Sequence, residues 1–266
     1  MITHNRLEIF VDIFHKQNQR ALVLPDITVS EFIEAILQEF KQARMEFLGD
    51  DPSEYLLVRV DDFSALEPDL PVKNQLKSGE RLALVERTSP LPPGARPVTK
   101  PLYLRELSTN RVFRIQWVPA IIGRPDPTHP DNVRLAVDLR DFETGLRVSR
   151  RHAQILEKHG EFFIKALSHN PTTVQREGDP TLIPVGTSPL SIQSGDLIIL
   201  NRSNIMLKVI IRDGAPMHTG TQFRSPVSKD DVPLEEDGET NAQSDSEGIV
   251  DSHTDEHDDK PTTQQH

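Results

Sequence analysis

The chain has 266 residues, a formal net charge of −11 and no cysteine. That length suits two ordinary domains, and the missing cysteines exclude a disulfide framework and thiol chemistry while fitting a reducing compartment. The charge is unevenly placed: residues 1–212 hold 27 basic and 27 acidic residues, whereas residues 213–266 hold 3 and 14, so one tail carries the whole imbalance. Residues 1–20 contain Glu8 and Asp12 where a signal peptide needs an unbroken apolar core, and no run reaches membrane-spanning length. The expectation is a cytoplasmic protein that neither spans a membrane nor, lacking basic clusters interleaved with aromatics, reads nucleic acid.

In chain order, Leu7 to Ile13 and Ala21 to Leu24 read as strands joined by the polar turn His15 to Asn18. Thr28-Val29-Ser30-Glu31 is a capping box, and Val29, Phe32, Ile33, Ile36, Leu37 and Phe40 recur at helical spacing on one face, which needs a sheet to cover. Tyr55 to Val60 and Arg81 to Val85 supply two more strands, the latter entered through Lys77-Ser78-Gly79-Glu80. This ββαββ order resembles the ubiquitin-like β-grasp and is loosely similar to small ubiquitin-like proteins associated with bacterial type VII secretion. No Gly-Gly ends the module, so a role as a conjugated modifier is not expected.

Prolines crowd Thr88 to Pro97 and hold the chain extended, so residues 88–100 read as a semi-rigid linker. Residues 1–87 would then fold alone, with the linker separating the modules without packing. Beyond it the pattern becomes all-β: Tyr103 to Leu107, Val112 to Trp117, His152 to Glu157, Phe162 to Leu167, Leu197 to Leu200 and Met206 to Ile211, separated by turns such as Ser108-Thr109-Asn110 and His159-Gly160. Such spacing predicts a β-sandwich over residues 101–212 with functional loops at one end. Residues 213–266, rich in Ser, Thr, Asp, Glu and Gly, offer too little apolar surface to offset ordering entropy and are expected to be a disordered acidic tail.

Three patches in the sandwich carry the chemistry: Gly123-Arg124, Val148-Ser149-Arg150-Arg151-His152-Ala153, and His169-Asn170-Pro171-Thr172. Arg124 and Arg150 offer forked guanidinium donors to a dianion, Ser149 a hydroxyl, and Asn170 an amide that both donates and accepts. Taken alone, Arg124 reads as a solvated turn residue. Together with Gly195-Asp196 before a late strand, the ordered patches resemble the forkhead-associated (FHA) domain. The resemblance implies phosphothreonine-peptide binding in which Arg124 and Ser149 contact phosphate, Arg150 lies beside it, and Asn170 grips the flanking peptide backbone. It makes His152 a structural, neutral imidazole, with Gly123, Thr172, Gly195 and Asp196 as architectural residues. His169 reads equally as a phosphate contact or a loop residue in solvent. The family usually has Asn-Gly-Thr; Pro171 replaces that Gly and stiffens the loop.

Other scans return little. Phosphate-loop and dinucleotide motifs are absent, His253 and His257 lack an ordered backbone for a metal, and Ser149 with His152 has no acidic third member for hydrolysis. Neither catalysis nor a cofactor is expected. The expected function is a phosphothreonine-dependent adaptor in Ser/Thr kinase signalling or a secretion-related complex; the alternative is a structural component of a secretion or envelope assembly that ignores phosphorylation. Thr240, Thr254, Thr262 and Thr263 would, if phosphorylated, make the tail an intramolecular ligand.

Overall fold

A computed structural model describes residues 6–42 and 45–214. Apart from Asp213 and Gly214, the acidic tail lies outside the described residues. In the first half, β1 (Leu7–Ile13) and β2 (Lys16–Val23) form a hairpin, α1 (Val29–Gln42) follows, and β3 (Tyr55–Arg59) and β4 (Arg81–Glu86) complete a sheet of order β2-β1-β4-β3. The β1–β4 pair is parallel and its flanking pairs antiparallel. The capping box forms as its sequence dictates: Thr28 N–H donates to Glu31 Oε2 at 2.7 Å, and Glu31 N–H to Thr28 Oγ1 at 3.2 Å. Behind it, Val29, Phe32, Ile33, Ile36, Leu37 and Phe40 are all buried and share a core with Ile9, Val11 and Ile13. The predicted turn was too long: β2 begins at Lys16, with left-handed Phe14 in the reversal and left-handed Asn18 within β2 where the register against β1 shifts.

The second half is a β-sandwich. Its strands are β5 (Arg96–Glu106), β6 (Val112–Val118), β7 (Ala120–Gly123), β8 (Leu135–Asp138), β9 (Arg151–Lys158), β10 (Glu161–Ala166), β11 (Thr172–Gln175), β12 (Leu182–Pro184), β13 (Leu190–Ile192), β14 (Leu197–Leu200) and β15 (Ile205–Ile211). They make one sheet of order β13-β10-β9-β7-β8 and another of order β12-β11-β14-β15-β5-β6. Inward residues of both, including Leu104, Ile122, Ile155, Ile164, Ile198 and Leu207, form the common core. Strands β8, β11, β12 and β13 are three or four residues long and were not anticipated.

The linker does not hold the halves apart. Strand β5 starts inside it at Arg96, and Ser89 N–H donates to Gln116 Oε1 at 2.9 Å, so the linker runs along β6. Tyr103 and Val112, on the outer face of the sandwich, are buried in the core of the first half. Phe47 lies 5.5 Å from the Tyr103 ring and 5.0 Å from the Phe14 ring, and the Arg212 guanidinium stacks 4.0 Å from the centroid of Phe47. Arg114 on β6 pairs with Glu86 on β4 at 3.1 Å, both side chains being largely buried. The physical reason is apolar: a large tyrosine and a valine on the solvent-side register of β5 and β6 need cover, and the first half provides it. Among the described residues no helix is long and apolar enough to cross a membrane.

Candidate functional site

Gly123 ends β7 where it pairs with Arg151 of β9. A Cβ at Gly123 would collide with the backbone carbonyls of Ser149 and Arg150, so glycine is required by close approach of two chains. That approach brings Arg124 onto the following loop. Its N–H donates to Arg150 O at 3.1 Å, and its side-chain Nε to Val148 O at 2.6 Å. With Nε fixed, the two Nη groups have no hydrogen-bond partner among the described residues. A guanidinium held by its inner edge keeps its outer donors in a set direction.

The loop from Leu139 to Arg150 is itself pinned. Leu139 N–H donates to Gly123 O at 2.9 Å, a short 3-10 turn runs over Gly145–Arg147, and Gly145 is buried where a side chain would strike Leu139 O. Ser149 follows. Its N–H donates to His152 Nδ1 at 3.3 Å, which makes Nδ1 an acceptor and places the imidazole hydrogen on Nε2, 3.0 Å from Thr172 Oγ1. His152 is 1% exposed, and burial pushes its pKa down to about 4, so the ring is neutral at physiological pH and serves as a bracket between the Ser149 loop and β11.

Asn170 reaches across from the loop after β10. Its Nδ2 donates to Ser149 Oγ at 2.9 Å and to Arg147 O at 3.3 Å. Ser149 therefore accepts from Asn170 and keeps its own hydroxyl hydrogen for another acceptor. Arg150 is exposed and faces Asp126 at 3.5 Å. Asp126 was not singled out in the sequence, although Asp126-Pro127-Thr128 is a turn signal: the Thr128 hydroxyl donates to Asp126 Oδ1 at 2.6 Å and, first among the causes, holds that carboxyl below its usual range. His169 is exposed and makes no hydrogen bond among the described residues. Arg140 pairs with Asp138 at 2.9 Å, and Arg134 donates to Pro93 O at 2.9 Å. Neither side chain is held by the residues of the site.

Residues 120–201 match the family model of the FHA domain. The chain carries an FHA domain. Among solved structures, the FHA domain of human APLF in complex with an XRCC1 bisphospho peptide is 21% identical, spans 41% of this chain and 97% of that one, and has a TM-score of 0.31. A structure from work on phosphothreonine-dependent FHA domain interactions is 23% identical over 42% and 98%, with a TM-score of 0.32. Mycobacterium tuberculosis EmbR, in complex with a low-affinity phosphopeptide, is 25% identical over 44% and 26%, with a TM-score of 0.31. Comparison with curated proteins found no match.

Within this FHA domain, Asp196 is 2% exposed, its carboxylate held by Arg176 and by Gln193 N–H at 2.8 Å. Gly195 before it has a φ of +94°, which favours glycine. Both shape the entry to β14, away from the Arg124–Ser149–Asn170 cluster in hydrogen-bond connectivity. Among the described residues no group of acidic and histidine side chains has the arrangement of a metal site.

Proposed function

We propose that the cluster binds phosphothreonine in a partner protein, with Arg124 and Ser149 donating to the phosphate, Arg150 and His169 at its margin, and Asn170 gripping the peptide backbone. The observation that carries this reading is the mutual bracing of three loops: Asn170 Nδ2 on Ser149 Oγ at 2.9 Å, and Arg124 Nε on Val148 O at 2.6 Å. Such bracing leaves the Nη groups and the serine hydroxyl as oriented donors. A phosphothreonine offers close to two negative charges and three acceptor oxygens, whereas plain threonine offers one hydroxyl. The chemistry is binding rather than catalysis, because His152, the residue nearest to a general base, spends both ring nitrogens on Ser149 and Thr172.

On this reading the protein is an adaptor, and the setting we favour is Ser/Thr kinase signalling or a secretion-related complex. The first half, with its central parallel β1–β4 pair covered by α1, fits the ubiquitin-like β-grasp expected from its element order, and we assign it a docking role. The test is calorimetry of the full chain against a degenerate phosphothreonine library and its unphosphorylated counterpart. Each charge-assisted contact contributes about 1.5–3 kcal/mol, so Arg124→Ala is expected to weaken binding roughly ten- to a hundredfold. Equal affinity for both libraries would refute the reading.

A further inference from the structure

One aromatic ring of the first half stands in solvent on the crossover from β3 to β4. Among the described residues Phe63 is the one exposed Phe, Tyr or Trp side chain, at 60%. Its φ of +58° is a left-handed conformation that a bulky side chain takes only under strain, whereas Gly or Asn takes it readily. The turn is held in that shape from both sides. Phe63 N–H donates to Arg59 O at 3.0 Å, Arg59 N–H to Ser64 O at 2.9 Å, and Ser64 N–H to Asp62 Oδ1 at 2.9 Å. A rigid, strained turn that shows an apolar ring to water is a poor use of Phe for folding and a good one for docking. The crossover is also acidic: residues 60–72 contain Asp61, Asp62, Glu67 and Asp69 and no Lys or Arg.

The same half holds a receptor of matching chemistry. A groove of about 630 Å³, ample for one aromatic side chain, opens between β2 and α1. Its lining includes Ala21 and Val23 on the strand and Phe32, Ile36 and Phe40 on the helix, and the small side chain of Ala35 leaves it open. Leu22 and Leu24, 50% and 39% exposed, extend the apolar lining. Arg6 and Arg20 are its cations and Glu39 its one carboxylate. Arg20 pairs with Glu8, yet its side chain stays 63% exposed. An apolar ring flanked by carboxylates and an apolar groove flanked by guanidiniums are complementary. Within one chain they stand apart: β2 and β3 are the two ends of the sheet, about 14 Å from each other over three strand spacings, and Phe63 follows β3 while the groove opens beside β2.

We propose that Phe63 of one copy fills the β2–α1 groove of a second copy of this chain, with Asp61 and Asp62 facing Arg6 and Arg20. The contact joins unlike surfaces, so each added copy presents a fresh ring and a fresh groove. One aromatic anchor and two exposed ion pairs make a weak contact, with a dissociation constant of about 10–100 µM.

Sedimentation equilibrium of the full chain at low salt, from about 1 µM to about 1 mM, tests this directly. The average mass is expected to rise with concentration from that of one chain to at least that of two. Phe63→Asn and Ala35→Glu, each alone, are expected to weaken self-association at least about tenfold, the first by removing the ring and the second by placing a carboxylate over the groove. Mixed in equal amounts they are expected to associate again, as pairs, because the first variant keeps the groove and the second keeps the ring. A parent chain that stays monomeric throughout, or a mixture that does, would overturn the proposal and leave ring and groove to other proteins. Thermal melts at about 1 µM, where the chain is a monomer, give a second readout. Phe63→Asn is expected to leave Tm unchanged or raised, since Asn tolerates the left-handed turn; a lowered Tm would show that the ring serves the fold and would count equally against the proposal.

Discussion

Replacing His152 with glutamine tests whether the loop that carries Ser149 is held by a neutral imidazole. Ser149 N–H donates to Nδ1 and Nε2 faces Thr172 Oγ1, so a second ring proton has no acceptor, and burial lowers the pKa to about 4. In the unfolded chain the same ring titrates near 6.5. The unfolded state therefore binds more protons between these values, and stability falls as pH drops through that window. The shift corresponds to about 3 kcal/mol, fully present above about pH 6.5 and lost by about pH 4. Other groups titrate too, so the informative quantity is the difference between the parent and His152→Gln. At pH 7 the variant is expected to be less stable by about 1–3 kcal/mol, from the altered bracket. That gap is expected to shrink, and then to reverse, as pH falls to about 4, because glutamine has no proton to gain. Urea midpoints at several pH values measure it, with the ring's own titration followed by NMR. A His152 pKa above 6, or a gap that stays constant with pH, would refute the tautomer and burial argument together.

Gly123→Ala is expected to destabilise the protein by more than about 2 kcal/mol and to weaken phosphopeptide binding, since its Cβ would press on the backbone of Ser149 and Arg150, which has no rotamer to relieve it; thermal melts and calorimetry check both. Phe47→Ala removes a ring packed on Phe14, Tyr103 and Arg212, and is expected to cost about 3–5 kcal/mol. Because Tyr103 belongs to the sandwich and Phe14 to the first half, parent unfolding is expected as one transition that splits into two in this variant. Two independent transitions in the parent would argue against coupling.

Much of the fold was legible in the sequence because its signals are local. The capping box at Thr28 and Glu31 and the apolar period from Val29 to Phe40 need only a helix and one covering surface, and both appear where the pattern put them. The long strands β9, β10 and β15 were likewise written in their own alternation. Strands β8 and β11 to β13 were not, since a run of three or four residues becomes a strand through partners far along the chain: Ile121 meets Leu135, and Thr172 meets Leu200. The same divide runs through the candidate site. The residue types Arg124, Ser149, His152 and Asn170 were readable in order. That Arg124 spends Nε on Val148 O and that Arg150 faces Asp126 follow from the approach of β7 to β9. Composition likewise located the linker but not its packing. Prolines fix a backbone's stiffness locally, whereas the burial of Tyr103 and Val112 against the first half depends on which sheet face meets which, a choice made by apolar surface that exists only once both sheets have formed.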